Sequence, residues 1–144
     1  MDYQAGTPTD PGVLEAMMPY FAEAFGNPSS PHQFGQETRT AVDYARSKVA
    51  ELIGAKKAGE VIFTSGGTES NNLAIRGVAH RNREKGDHVI TSKIEHMSVI
   101  NTCKSLQKEG FKVTFIPVDK YGIIDLERLK SEINESTILV SVMY

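Results

Sequence analysis

The segment Val61-Ile-Phe-Thr-Ser-Gly-Gly-Thr-Glu-Ser-Asn-Asn-Leu-Ala-Ile75 gathers the groups best suited to hold a ligand. Val61–Thr64 reads as a short buried strand. Ser65-Gly66-Gly67-Thr68 reads as a tight turn, and the periodicity predicts a helix from about Glu69 to Lys85. Hydroxyls at Ser65, Thr68 and Ser70 surround the start of that helix. Gly66 and Gly67 could adopt positive φ and let a ligand approach the backbone closely. The unpaired amides and the dipole of a helix N-terminus favour a phosphate there. On spacing alone the segment is either an anion site at a strand–helix turn or a plain connecting turn. It matches neither G-x-x-x-x-G-K-[ST] nor G-x-G-x-x-G, which sets aside two nucleotide-binding loops.

His96 is the second residue of interest, placed after a short expected strand and just before an expected helix. An imidazole offers a flat face for stacking and can exchange a proton near neutral pH. A lone histidine is equally at home as a satisfied structural residue. His32, His80 and His88 fall on different elements, and no H-x-x-x-H or C-x-x-C spacing occurs, so no metal site is expected. The single cysteine, Cys103, falls on an apolar stripe with Val99, Ile100 and Leu106 and reads as a buried structural thiol.

The elements that must position these groups alternate between helix and strand. Asp10 is an expected N-cap with Pro11 at the first helical position, opening a helix from Pro11 to Phe25. Gly26-Asn-Pro-Ser-Ser-Pro31 breaks it. A second helix carries Val42, Ala45, Val49, Leu52 and Ile53 on one stripe and stops at Gly54. Beyond Val61–Thr64, strands are expected at His88–Ser92, Lys112–Pro117 and Ile138–Val142. Helices are expected from Met97 to Glu109 and from the Asp125 cap to Asn134. Strand–helix–strand alternation with short connections implies an α/β fold with a mostly parallel sheet. The first ten residues read as an irregular arm.

Hydrophobic residues make up 40% and charged residues 24%, a globular balance. The net charge of −2 gives no electrostatic case for nucleic acid or an anionic membrane. The cluster Arg76, Arg81, Arg83 and Lys85 reads as a solvated helix face. One cysteine fits a reducing compartment, no basic-then-apolar leader is visible, and no apolar run reaches membrane length, so a cytoplasmic protein is expected.

Four segments in order resemble the cysteine desulfurases of the aminotransferase class V group. TSGGTESNNLAI is similar to the stretch that grips the cofactor phosphate in that family. FGNPSSPHQFGQETR (Phe25–Arg39) resembles its G-N-P-S-S-x-H-x-x-G stretch, and Ser92–Val99 its S-x-x-E-H-x-[SA]-V segment. Thr137–Met143 is similar to the strand that precedes its A-N-N-E-x-G-T motif. The resemblance implies a partial three-layer α/β/α large domain of a fold-type I pyridoxal-phosphate enzyme, mostly parallel in its sheet. Residues 1–10 would be the N-terminal arm, and 11–144 the N-terminal part of that domain. Gly67 and Thr68 would bind the phosphate of pyridoxal 5'-phosphate, with Gly66 keeping the turn tight. His96 would stack on the cofactor ring and take part in proton transfers.

The same likeness implies L-cysteine as substrate and a sulfur-acceptor scaffold protein for iron–sulfur cluster assembly. It also implies a homodimer or a complementing C-terminal chain, with neither nucleic acid nor membrane as partner. The arm departs from the family's D-N-N-A-T-T-P pattern, with Tyr3 and Gln4 in place of two asparagines and Gly6 in place of a threonine. The ring-pairing aspartate, the Schiff-base lysine of S-x-H-K and the late catalytic cysteine have no counterpart in these 144 residues. Neither Lys93 nor Cys103 matches them. The chain alone is therefore expected to be inactive and to hold the cofactor non-covalently at most. A cofactor- or partner-binding remnant and another class V enzyme, such as a selenocysteine lyase, are the alternatives.

Overall fold

A computed structural model describes Tyr3 and residues 6–144. The changed arm position Gln4 lies outside the described residues, whereas Tyr3 and Gly6 are exposed. The chain divides into two compact units, Met1–Phe63 and Thr64–Tyr144.

The first unit is helical: α1 (Pro11–Met17), α2 (Pro19–Ala22), α3 (Gln33–Ile53) and a 3-10 turn at Ala58–Glu60. Asp10 caps α1 as expected, accepting from the Gly12 amide at 2.8 Å. The helix expected to run to Phe25 is instead broken at Met18. Pro19 has no amide proton to continue the ladder and opens α2 at its first position. α3 ends at Gly54, which takes the left-handed conformation with φ 69°. Gly26 and Gly35 have a packing reason: a Cβ on either would collide with backbone atoms of the facing segment. Thr38 fastens the same junction by donating its hydroxyl to the Gly26 carbonyl at 2.6 Å.

Much of the apolar surface of this unit is not covered. Leu14, Phe21, Phe25, Leu52 and Ile53 are all at least half exposed. Val61–Thr64 is not a strand. The Val61 amide closes the 3-10 turn onto Ala58 and its carbonyl accepts from the Arg46 guanidinium, so no ladder partner takes them. Val61 is buried while Ile62 and Phe63 stay exposed, a burial pattern unlike that of a core strand.

The second unit holds the sheet. Its elements are α4 (Gly67–Arg81), β1 (His88–Ser92), α5 (Met97–Lys108), β2 (Lys112–Ile116), α6 (Leu126–Glu132) and β3 (Thr137–Ser141). The three strands are parallel in the order β2-β1-β3, with His88 opposite Lys112 on one side and Thr137 on the other. β1 is central and buried along its whole length, which suits the apolar and small residues that follow His88. Ile75 and Ala79 of α4 and Val99, Cys103 and Leu106 of α5 form one cluster with Val89 and Phe111. Each fully buried aliphatic side chain of this set contributes about 1.5–3 kcal/mol.

Two of the basic residues expected on a solvated face are engaged. Arg76 bonds Ser105 at 3.1 Å and Glu109 at 2.8 Å, tying α4 to α5. Arg83 stacks 4.0 Å above the Phe111 ring. Arg81 and Lys85 remain exposed, as the charge pattern implied.

Candidate functional site

Parallel strands expose their ligand-binding groups at their carboxyl ends, and the two candidate segments of the second unit meet beyond that end of the sheet. The first is the N-terminus of α4. Its cap residue, Gly66, makes no side-chain capping bond, unlike Asp10, His32, His96 and Asp125 at the starts of α1, α3, α5 and α6. The first-turn amides of Gly67, Thr68 and Glu69 therefore lack an acceptor among the described residues.

The hydroxyls around this turn are not equivalent. Ser65 donates both its amide and its hydroxyl to the Glu69 carboxylate, each at 2.7 Å. Those two bonds, the backbone one foremost, hold the Glu69 carboxyl below the usual carboxylate range. Ser70 is paired with Thr64 at 2.7 Å and also reaches the Gly66 carbonyl. Thr68 alone of the four keeps a hydroxyl with no partner among the described residues.

The glycines behave differently from expectation. Neither Gly66 nor Gly67 takes a positive φ of the left-handed kind; Gly54, Gly110 and Gly122 are the glycines that do. A Cβ at 66 or 67 would also meet no heavy atom within 4 Å. Neither strain nor internal packing requires glycine here. What the pair provides is bare backbone facing open space.

The second segment is the turn from β1 into α5. His96 is the N-cap of α5, and its Nδ1 accepts from the Ser98 amide at 3.1 Å. The Ser98 hydroxyl lies 2.7 Å from the same Nδ1, and Asn71 of α4 donates to that hydroxyl at 2.8 Å. The ring is exposed, and Nε2 has no partner among the described residues. Just before it, Glu95 accepts from the Ser92 hydroxyl at 2.8 Å and from the Met143 amide at 2.6 Å, joining the ends of β1 and β3.

Thr68 and His96 line one cleft of about 340 Å³ between α4 and α5, with Asn72, Ser98 and Asn101 along its wall. No lysine lines it. Gly67 starts the helix from which Thr68 reaches that cleft. His32, His80 and His88 lie elsewhere: His32 caps α3, His80 pairs with Glu109 at 3.1 Å, and His88 is buried in the sheet. No group of three or more His, Cys, Asp or Glu residues could hold a metal ion among the described residues. Cys103 is fully buried, and burial, followed by the nearby Glu95 charge, pushes its thiol up to about 11. Such a thiol stays protonated and is a poor nucleophile.

The sequence alone assigned no role to Asn71 or Ser98. The available signal was a serine two residues after His96, and an asparagine one turn into α4, both on faces that the packing buries.

The aminotransferase class-V family model matches residues 1–144. Cysteine desulfurase IscS 1 of Archaeoglobus fulgidus is 57% identical over 143 residues, covering 99% of this chain and 37% of that relative. A solved NifS-like protein superposes with a TM-score of 0.92 at 41% identity, over 99% of this chain and 39% of the other. A structure described as SspA in complex with cysteine gives 0.88 at 40% identity, over 98% and 40%. The chain thus spans well under half the length of the relatives it matches. Among the described residues no helix is long and apolar enough to cross a membrane. A family model matching from the first residue to the last, on the fold expected from four ordered motifs, leads to one conclusion: the chain belongs to the aminotransferase class-V family.

Proposed function

We propose that this chain forms the phosphate- and ring-binding half of a pyridoxal-phosphate site in a cysteine desulfurase. The observation that carries the reading is that Thr68, with the free hydroxyl at an uncapped helix N-terminus, shares one cleft with the exposed ring of His96. The residues fit the group. A phosphate dianion suits bare amides at Gly67 and Thr68, a free hydroxyl and the positive end of a 15-residue helix. An open glycine pair lets it approach. When bound, pyridoxal phosphate supplies an electron sink for carbon–sulfur bond cleavage in an amino-acid substrate.

The chain's own residues bind and orient. Thr68 donates its hydroxyl to the phosphate, and the α4 amides add charge-assisted bonds. His96 offers its flat face to the pyridine ring and holds a proton at the cleft. With no lysine in the cleft, the grip of this chain is non-covalent. L-cysteine is the proposed substrate of the assembled enzyme. The groups that this cleft lacks lie outside residues 1–144, and a scaffold protein accepts the sulfur.

Calorimetric titration of pyridoxal phosphate into the chain tests the reading. Saturable binding is expected, weakened about tenfold by Thr68→Ala, the value of one hydrogen bond to a charged group. Ser70→Ala should leave affinity unchanged, since that hydroxyl is already committed. Equal affinity in the wild type and in a Thr68→Ala, His96→Ala double variant would overturn it.

A further inference from the structure

The hydrogen bonds behind His96 have a direction. An amide nitrogen can only donate, so Asn71 Nδ2 directs a proton at Ser98 Oγ. With its oxygen so engaged, the Ser98 hydroxyl has its own proton to give, and its nearest acceptor is His96 Nδ1 at 2.7 Å. The Ser98 amide points a second proton at the same atom from 3.1 Å. Ser98 is 7% exposed, so its hydroxyl has little solvent to turn towards. Two donors converging on Nδ1 require it to carry a lone pair, and a neutral imidazole then has its proton on Nε2.

We propose that Asn71 and Ser98 are positioning residues that fix His96 as its Nε2–H tautomer and hold the ring at the mouth of the α4–α5 cleft. The relay reaches from one helix to the next, so the same bonds that set the proton also couple the two candidate segments. Thr68 lies less than one turn before Asn71 on α4, and His96 is bonded to Asn71 through Ser98. Displacing α4 at its N-terminus therefore acts on the His96 ring as well as on the phosphate cradle. The consequence is a ring that presents a donor, not an acceptor, to whatever occupies the cleft. The value of that donor to catalysis rests on the proposed function; the tautomer itself does not.

Nitrogen-15 NMR of the imidazole in the isolated chain, without cofactor, reads the tautomer directly. The wild type should show an acceptor-type Nδ1 and a proton-bearing Nε2. Asn71→Asp reverses the relay, because a carboxylate takes the Ser98 proton and leaves Ser98 Oγ as an acceptor facing the ring. Nδ1 should then become proton-bearing, and the Ser98 amide should exchange faster as its cap is lost. Ser98→Ala leaves the longer 3.1 Å amide bond as the one donor to Nδ1, so it should weaken the bias and admit a fraction of the Nδ1–H tautomer, which Ser98→Thr should remove again. A proton-bearing Nδ1 in the wild type would overturn the proposal whatever the variants do. So would an unchanged tautomer in both Asn71→Asp and Ser98→Ala. A correct tautomer in a chain that fails to bind pyridoxal phosphate would leave the relay standing and remove the functional reading.

Discussion

Two histidines bracket the central strand, and their surroundings are opposite. His88 begins β1, is 4% exposed, and bonds Thr137 through Nδ1 and Thr114 through Nε2, each at 2.9 Å. It joins all three strands at the amino end of the sheet and has no ring nitrogen left to offer. His96 follows the carboxyl end of the same strand, with one nitrogen bound inside the protein and the other open. The pair shows how one residue type serves structure or chemistry. What decides is whether the packing satisfies both nitrogens or only one. It also agrees with the general rule that parallel sheets close their amino ends and leave binding groups at their carboxyl ends.

The strongest way to break the comparison is to remove each ring in turn. His88→Ala should cost about 2–4 kcal/mol in urea unfolding, since it leaves a void, strips the part-buried Thr114 hydroxyl of its partner and leaves Thr137 with the Asn134 amide alone. His96→Ala should cost only about 0.5–1 kcal/mol, the value of a helix cap. Equal losses would mean that both ends of the sheet are structural.

The Cys103 thiol reports the same difference kinetically. It is fully buried between the helices and the sheet, and its native form stays protonated up to about 11. An unfolded thiol ionises near about 8.5. The resulting stabilisation is complete below that value and is lost as pH rises from there towards the native value. At pH 8, alkylation should therefore require opening of the fold. His88→Ala should accelerate it by about 30-fold or more and His96→Ala by about fivefold or less, matching their stability costs. Fast labelling of the wild type would show that the α5 layer opens without global unfolding.

Much of this was legible beforehand, for identifiable reasons. β1 and β2 begin on the expected residues, β3 lies within one residue of expectation, and Asp10, Gly54 and Asp125 cap as read, because each rests on local chemistry. Thr68 and His96 were chosen by resemblance, and they line one cleft. Val61–Thr64 was misread because a four-residue apolar run carries no sign of whether a ladder partner exists; its backbone groups are taken by a turn and by Arg46. Gly66 and Gly67 were assigned a backbone conformation they do not adopt. Asn71 and Ser98 fall inside two of the quoted segments but could be given no role from them, because their importance is a relation between two helices, which no single segment contains.

The one stabilising change lies between the two histidines. Thr91 is fully buried in β1, and its hydroxyl has no hydrogen-bond partner among the described residues. At the amino end of the strand every buried polar group is paired; at the carboxyl end Ser92 is held by Glu95. Thr91 is thus the one position of β1 where a side-chain polar atom is desolvated without return. Valine has nearly the same shape and removes the uncompensated group, a change that is neutral or stabilising when the partner is missing already. Thr91→Val should raise stability by about 1 kcal/mol, or the thermal midpoint by about 3–4 °C. If it lowers stability instead, the hydroxyl is satisfied in solution and belongs with the closed end of the sheet. If stability rises but pyridoxal phosphate binds more weakly, the open end begins within the strand, at Thr91, and not at the turn that follows it.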